Sequence, residues 1–374
     1  MKRKFQVAII GGGLGGLICA NYLAREKIEV CLIERKSYPF HRVCGEYVSN
    51  EVKPFLQSLE LFPTHFNPPE INRFILTSIN GKKAETDLRL GGFGISRFSF
   101  DHLLSEKAKV NGAVILTNRF VDDIAFDSGT FKVSISGGKG IESDLVIGAF
   151  GKRSSLDKKL SRPFLKHKSP YIGVKYHIHY ELPKNEIQLH NFEGGYCGIS
   201  NVENNTVNLC YLSERGNLKK CGNIQSMEEK VLQKNPFLKE IWRNAEFVMN
   251  NPIVINEINF ESKNQVESHI LMVGDSAGMI APLCGNGMSM AIHAAKIACE
   301  EIVRFFGSPE ITMTRLETNY MERWKNQFSS RMVIGRNLQK LFGSVWLSNA
   351  SVGLLNNFGT LGKFLINKTH GQPF

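Results

Sequence analysis

One glycine-rich turn constrains this chain more than any other stretch. Gly11-Gly12-Gly13-Leu14-Gly15-Gly16 directly follows the apolar run Phe5-Gln6-Val7-Ala8-Ile9-Ile10. That run is short, rich in branched residues and ends at glycine, which predicts a buried strand. Leu14, Leu17, Ile18 and Tyr22 recur at helical spacing, so a helix is expected over 14–25, and Ile28 to Ile33 reads as a second strand. Strand, tight turn, helix and strand make one βαβ unit. Inside it, Gly11, Gly13 and Gly16 fit G-x-G-x-x-G. The first permits the turn, the second clears room for a pyrophosphate, and the third lets helix and strand approach. Leu14 opens the helix, whose free N–H groups and positive dipole face the phosphates. Glu34 ends the second strand, where a carboxylate accepts hydrogen bonds from a ribose diol. The unit points to a dinucleotide. The motif alone does not separate FAD from NAD, and a glycine turn used only for packing is the bland alternative.

A second glycine turn lies far along the chain. Val273-Gly274-Asp275-Ser276-Ala277-Gly278 follows a short apolar strand, and Pro282-Leu283-Cys284-Gly285-Asn286-Gly287-Met288 leads into a long helix reaching about Phe306. Between the two turns, a hairpin is expected at 74–88 with its turn at Asn80-Gly81. Arg97 precedes a helix over 98–109 with Asp101 near its start. Short strands are expected around 114–116, 120–126, 131–135 and 143–147. Val174, Tyr176, Ile178 and Tyr180 alternate with Lys175, His177 and His179. Further strands at 187–191, 196–202 and 206–212 complete an antiparallel sheet with one apolar side, a natural roof for a substrate.

Composition sets the outer bounds. Of 374 residues, 42% are hydrophobic and 22% charged, so one large or two medium domains with a full core are affordable. No apolar run reaches the length of a membrane span, about 18 residues. Met1-Lys2-Arg3-Lys4 is followed by a strand rather than a signal peptide. The eight cysteines, Cys19, Cys31, Cys44, Cys197, Cys210, Cys221, Cys284 and Cys299, show neither C-x-x-C nor zinc spacing. They read as reduced thiols of a cytoplasmic protein without a metal site. The net charge of +11 suits an anionic cofactor, an acidic carrier protein or an anionic membrane surface. Its positive charges are scattered without interleaved aromatics, which argues against nucleic acid.

Together these residues resemble the flavoprotein superfamily of p-hydroxybenzoate hydroxylase and geranylgeranyl reductase, from about residue 5 to 330. The resemblance implies FAD, reduced by NAD(P)H or another electron donor. Gly11, Gly13, Leu14 and Gly16 match its pyrophosphate loop. Glu34 matches the acid on the adenosine ribose, with Arg35 beside the adenine. Arg97 resembles the arginine near the flavin phosphates and ribityl chain, and Val121 the strand residue whose backbone meets adenine. Asp275 matches the acid on the ribityl chain. Gly285, Asn286, Gly287 and Met288 match the helix start that faces flavin N1 and C2=O, where reduced flavin carries negative charge. Pro282 shapes the wall beside the ring. Arg42 and Gly151 fall in the loops that flank the same cofactor.

Cys44-Gly45, after Arg42, resembles the geranylgeranyl reductase branch, in which the cysteine lies near flavin and substrate. Cys44 is the candidate catalytic residue, and Cys44, Gly45, Tyr196 and Pro282 are the candidate substrate contacts. Packed, inert roles are the alternatives for Cys44 and Tyr196. One departure stands out. Hydroxylases carry an Asp-Gly pair after the strand at 144–148, and this chain has Phe150 where the aspartate is expected. That aspartate serves FAD and the reducing nicotinamide, so reduction by the hydroxylase route is in doubt. No Trp-x-Trp-x-Ile-Pro stretch supports a halogenase.

The expected fold class is α/β. A Rossmann-like βαβ FAD-binding domain (1–75, 90–165 and 265–310) carries an inserted antiparallel-sheet substrate domain (76–89 and 166–264), and helices follow over 311–374. Leu338, Leu341, Phe342, Val345 and Trp346 fit one face of a C-terminal helix, flanked by Arg336 and Lys340. The expected function is an FAD-dependent oxidoreductase. Monooxygenation of an apolar small molecule (polyketide-like, aromatic, isoprenoid or carrier-bound) leads. A flavin-dependent C=C reductase and a non-catalytic flavin-binding protein are the alternatives, while the Gly274-Asp275 turn argues against an NAD-dependent dehydrogenase. The expected location is the cytoplasm, with peripheral membrane attachment as the variant. His177 and His179 are read as hydrogen-bonded or solvated rather than metal ligands, and His293 as packed.

Overall fold

The computed structural model describes residues 4–167, 169–256, 258–339, 344–357 and 371–374. The chain opens with β1 (Lys4–Ile10), α1 (Leu14–Arg25), β2 (Val30–Ile33), β3 (Tyr47–Ser49), α2 (Lys53–Ser58), β4 (Glu70–Thr77), β5 (Lys83–Gly94) and α3 (Arg97–Val110). It continues through β6 (Val114–Leu116), β7 (Val121–Asp127), β8 (Thr130–Ile135), β9 (Ile141–Gly148), α4 (Ser155–Lys159), β10 (Tyr171–His179), β11 (Glu186–Phe192), β12 (Gly195–Asn201) and β13 (Val207–Glu214). The remainder is α5 (Arg215–Cys221), α6 (Ile224–Lys230), α7 (Pro236–Asn244), β14 (Glu246–Phe247), β15 (Ile253–Asn256), β16 (Val266–Glu267), β17 (Ile270–Met272), α8 (Gly287–Gly307), α9 (Met313–Gln339) and α10 (Val345–Asn357).

Two sheets result. The first runs β16-β17-β9-β1-β2-β6, with the β7–β8 hairpin joined to β9. β1 is parallel to both β2 and β9, with Ile10 opposite Ile33 on one side and Gly148 on the other. Val7, Ala8, Ile9 and Ile10 are buried, as strands covered by helices on both faces must be. The helix expected over 14–25 forms there, and the α/β class and Rossmann-like unit stand as expected.

The second sheet runs β14-β10-β13-β12-β11-β4-β5-β3, with β15 on the far side of β10. It departs from the expected substrate domain in three ways. It is wider, because it also takes in 47–49 and all of 70–94. It is not wholly antiparallel, because β4 and β11 pair in parallel from Arg73–Glu186 to Thr77–His190. Parallel strands need a crossover connection, and here α3 and strands β6 to β9 of the first sheet lie between them in sequence. Finally, neither face of β10 is left to water. Val174, Tyr176 and Ile178 pack on Met227, Leu238 and Ile241 of the α5–α7 segment, while Lys175 and His177 are buried on the opposite face and only His179 is exposed.

α8 packs beside α1, and Cys19 and Cys299 lie buried between them. His293 on α8 is stacked on Phe374 with ring centroids 3.7 Å apart. The single C-terminal face expected over 338–346 is interrupted at Ser344, which is not helical; α10 begins at Val345, Trp346 is 75% exposed, and Lys340, Leu341 and Phe342 lie outside the described residues. Among the described residues no helix is long and apolar enough to cross a membrane.

β11 also carries His190, which is fully buried, with Nδ1 2.9 Å from the Thr77 hydroxyl. Burial pushes its pKa down from the ordinary 6.5 to about 3. The unfolded chain therefore binds a proton that the folded one refuses, and stability falls as pH drops from about 6.5 toward 3. At pH 5 the loss from His190 alone is about 2 kcal/mol. Urea unfolding at pH 7 and pH 5 checks this: His190→Gln should lose about 2 kcal/mol less than the parent between those two conditions.

Candidate functional site

The two glycine turns meet in one place. β1 ends against β2 and β9, where Gly11 N donates to Ile33 O at 2.8 Å and Ala149 N to Ile10 O at 2.9 Å. Gly11 has φ +107°, and a methyl group there would lie 2.4 Å from the Ala149 carbonyl oxygen. A methyl on Gly16 would lie 2.1 Å from the Gly11 carbonyl oxygen. Both positions are therefore closed by the protein's own backbone. Gly13 is different: it N-caps α1, and a methyl there would meet only the Arg97 guanidinium, at 3.8 Å. The space left by its missing side chain faces outward, into a cavity.

Around that turn the charges form a ring. Glu34 accepts from Gly12 N at 2.9 Å and from Lys36 N at 3.0 Å. Arg42 reaches the Gly12 carbonyl at 3.0 Å, Glu34 at 3.3 Å and Asp101 at 3.0 Å. Arg97 grips Asp101 with two bonds of 2.7 and 2.8 Å. The Tyr38 hydroxyl donates to the Gly12 carbonyl at 2.6 Å. The buried Asp101 thus fixes two guanidinium groups beside the phosphate loop.

At the other turn, Gly274 adopts φ +61° and Asp275 lies in the short turn after β17. The Ser276 hydroxyl accepts from Gly151 N at 2.7 Å, joining this turn to the end of β9. Lys263, missed in the sequence, donates to the Asp275 and Lys152 carbonyls at 2.8 Å each. Burial lowers its pKa to about 8 against the opposing pull of Asp275. Gly285 has φ +64°, Asn286 is the fully buried N-cap of α8, and Gly287 has open space where a side chain would stand.

One cavity of about 830 Å³ joins these parts. Gly11, Gly13, Leu14, Glu34, Arg35, Arg42, Arg97 and Val121 line it on one side, and Gly151, Asp275, Pro282, Gly285, Gly287 and Met288 on another. Cys44, Gly45 and Tyr196 line it as well, and the cavity continues beneath the second sheet along Phe74, Leu76, Leu189 and Leu212. Two residues of the sequence-derived set stand back from it. Gly16 packs α1 on β1, and Asn286 is buried behind the α8 start. Phe150 lines the cavity where the hydroxylase pattern has an aspartate. Among the described residues no cluster of His, Cys, Asp and Glu suits a metal ion.

The strongest feature absent from the sequence reading is Glu46. Its side chain is fully buried and its backbone has φ +55°. The carboxylate accepts from Arg97 N at 2.7 Å, forms an ion pair with Lys175, and lies 2.7 Å from His177 Nε2. Burial alone would raise its pKa, but Lys175 and His177 outweigh burial and hold it below the ordinary value. Its own N–H reaches Cys44 Sγ at 3.5 Å. A second carboxylate, Glu203 from the β12–β13 turn, accepts from Ser96 N at 2.8 Å and from the Ser96 and Ser99 hydroxyls. Both acids anchor the start of α3, and with it Arg97. The only sequence trace of Glu46 was its position after Cys44-Gly45.

The residues present fit FAD. The cavity is long, two helix N-termini open on it, and Gly13 and Gly287 leave room where side chains would obstruct a cofactor. The two kinds of glycine separate fold from binding. Gly16→Ala should lower stability by about 1–3 kcal/mol through its backbone clash. Gly13→Ala should leave stability within about 0.5 kcal/mol and weaken FAD at least about tenfold by blocking the loop. Thermal unfolding and FAD titration of both variants check the contrast.

Comparison with known proteins agrees with this geometry. The family described as NAD(P)-binding Rossmann-like domain matches residues 9–74. Conditioned medium factor receptor 1 of Dictyostelium discoideum is 23% identical over 88% of this chain and 70% of its own length. Digeranylgeranylglycerophospholipid reductase of Methanosarcina acetivorans is 25% identical over 87% of this chain and 81% of its own. The fold is shared with the halogenase PltM, whose structure was solved with phloroglucinol and FAD: TM-score 0.78, 16% identity, 97% of this chain and 82% of that one. With its nucleotide unit, second sheet and joined glycine turns, the chain shares the fold of FAD-dependent oxidoreductases and is similar in sequence to the reductases among them.

Proposed function

We propose that this enzyme uses FAD to reduce a carbon–carbon double bond in an apolar small molecule. The observation that carries the reading is the continuity of the cavity. One space runs from the phosphate loop at Gly13 to an apolar chamber walled by Phe74, Leu76, Leu189, Leu212 and Met279. Such walls favour an apolar guest and keep water from the reacting atoms. Two further features favour reduction over oxygenation. Cys44-Gly45 lies in the cavity as in the reductase branch, and Phe150 removes the carboxylate that serves a reducing nicotinamide in the hydroxylases. The digeranylgeranylglycerophospholipid reductases, similar over most of the chain, support the same reading.

FAD, when bound, supplies the two-electron chemistry. The protein's own residues do the rest. The starts of α1 and α8 open on the cavity, and their N–H groups and dipoles would meet the phosphates and the negative charge of a reduced ring. Asp101 keeps Arg42 and Arg97 in place beside the loop. Glu46 holds the Cys44 segment against the second sheet. Cys44 Sγ is the thiol offered as proton donor to the reduced carbon. Cys210, which also lines the cavity, has its thiol pushed up to about 12, chiefly by burial.

The second reading is monooxygenation of the same class of molecule, which the water-free chamber would serve equally. Anaerobic incubation with dithionite and a polyprenyl lipid extract separates the two. Products heavier by two hydrogens per double bond support reduction. Products that form only with O2, and gain one oxygen, overturn it in favour of the second reading. Cys44→Ala should slow the reduction by at least about tenfold while FAD still binds.

A further inference from the structure

We propose that Ser200 and Asn208 form a polar anchor on the wall of the chamber, and that the substrate carries a neutral hydroxyl group to meet it. The inference rests on the reading that the chamber holds an apolar guest.

The cavity face of the second sheet is laid out by strand register. Tyr196, Gly198 and Ser200 of β12 alternate onto one face, as do Asn208, Cys210 and Leu212 of β13, with Ser200 opposite Asn208 and Gly198 opposite Cys210. Ile187 stands opposite Ser200 on the other side. β10 continues this face, with Lys175 opposite Cys210 and His177 opposite Asn208, both bound to Glu46. Ser200 lines the cavity beside them: it is 1% exposed, and its Oγ has no hydrogen-bond partner. Asn208 is fully buried and its Oδ1 is likewise without a partner. Its orientation is set, because Nδ2 donates to the Cys44 carbonyl at 3.2 Å, so the unfilled atom is the acceptor.

Two buried polar atoms side by side without partners are costly, and native interiors rarely tolerate them. Directly opposite residues of neighbouring strands bring their Cβ atoms within about 5 Å, so one small group can reach both. Asn208 Oδ1 needs a donor, and the Ser200 hydroxyl can give or accept. A hydroxyl group satisfies both at once. A carboxylate has no proton for Asn208, and Glu46, the carboxylate beside this face, is already held by Lys175 and His177. Gly198, next along the strand, leaves the room: a methyl there would approach nothing closer than the Cys210 carbonyl, at 3.7 Å. The Cys44 carbonyl bond places this anchor beside the loop that carries the candidate proton donor.

The test compares 2-naphthol with 2-methylnaphthalene, equal in shape but not in hydrogen bonding, by equilibrium dialysis against the FAD-loaded protein. The expected result is that naphthol binds about tenfold tighter. Ser200→Ala should bring that ratio below about threefold and leave methylnaphthalene unchanged. Gly198→Val should weaken both probes while thermal unfolding stays intact. Equal affinity for the two probes, a preference that survives Ser200→Ala, or indifference to Gly198→Val each overturns the anchor. Failure of the protein to take up FAD would overturn the flavin reading instead. The same dialysis on the FAD-free chain then still reports on Ser200.

Discussion

The cavity depends on one buried carboxylate. Glu46 belongs to a loop of the nucleotide domain, yet its partners are Lys175 and His177 on the second sheet and the backbone of Arg97 at the start of α3. Three parts of the molecule converge on two oxygens. Burying a charge this deeply costs several kcal/mol unless it is paired, and removing one partner of such a pair typically costs about 3–5 kcal/mol. The arrangement is therefore close to all-or-none. While Glu46 is in place, the second sheet sits over the glycine loop, and Arg97 and Cys44 keep their positions. The hydrogen bonds continue from Arg97 to Asp101, from Asp101 to Arg42, and from Arg42 to the Gly12 carbonyl. The substrate roof and the cofactor loop are thus mechanically one object.

How much of this was readable in the sequence divides along a physical line. Features set by local period and by glycine were legible. Leu14, Leu17 and Ile18 recur on one helical face, and α1 forms over the predicted residues. The missing Cβ atoms of Gly11, Gly13 and Gly16 predict a loop, and the structure adds a distinction the motif cannot make. Gly11 and Gly16 are demanded by the protein's own backbone, whereas Gly13 faces open space. Features set by long-range pairing were not legible. The alternation along β10 correctly separates two faces, but a run containing Lys175, His177 and His179 reads as solvent-facing. Nothing in the local pattern shows that a carboxylate about 130 positions earlier covers two of the three. The parallel β4–β11 pairing was invisible for the same reason, since each strand by itself suits either direction.

Phe150 shows how one substitution in a family pattern acquires meaning from its surroundings. Its ring lines the cavity just beyond β9 and packs near Gly148. A carboxylate there would add negative charge close to Asp275, and this chain has none. Nearby it has cations instead: Lys152 and Arg153 also line the cavity, and Lys263 lies just behind. The local balance is therefore more positive than in the hydroxylase pattern. A positive field stabilises electrons placed on a neighbouring ring, so a flavin bound here would be favoured in its reduced form.

The two helix starts act in the same direction. α1 begins at the phosphate loop with no acidic residue in its first turn, and α8 begins at Gly287, also without one. In each case an acid would have cancelled part of the dipole, which amounts to roughly half a positive charge at a helix N-terminus. A field that met a pyrophosphate, charged in every redox state, would hold a cofactor without regard to electrons. A field that met a ring charged only on reduction would distinguish one redox state from the other. A fold that brings both helix ends to a single cavity can bind its cofactor tightly and still bias the chemistry. It does so with backbone groups that no side-chain mutation removes.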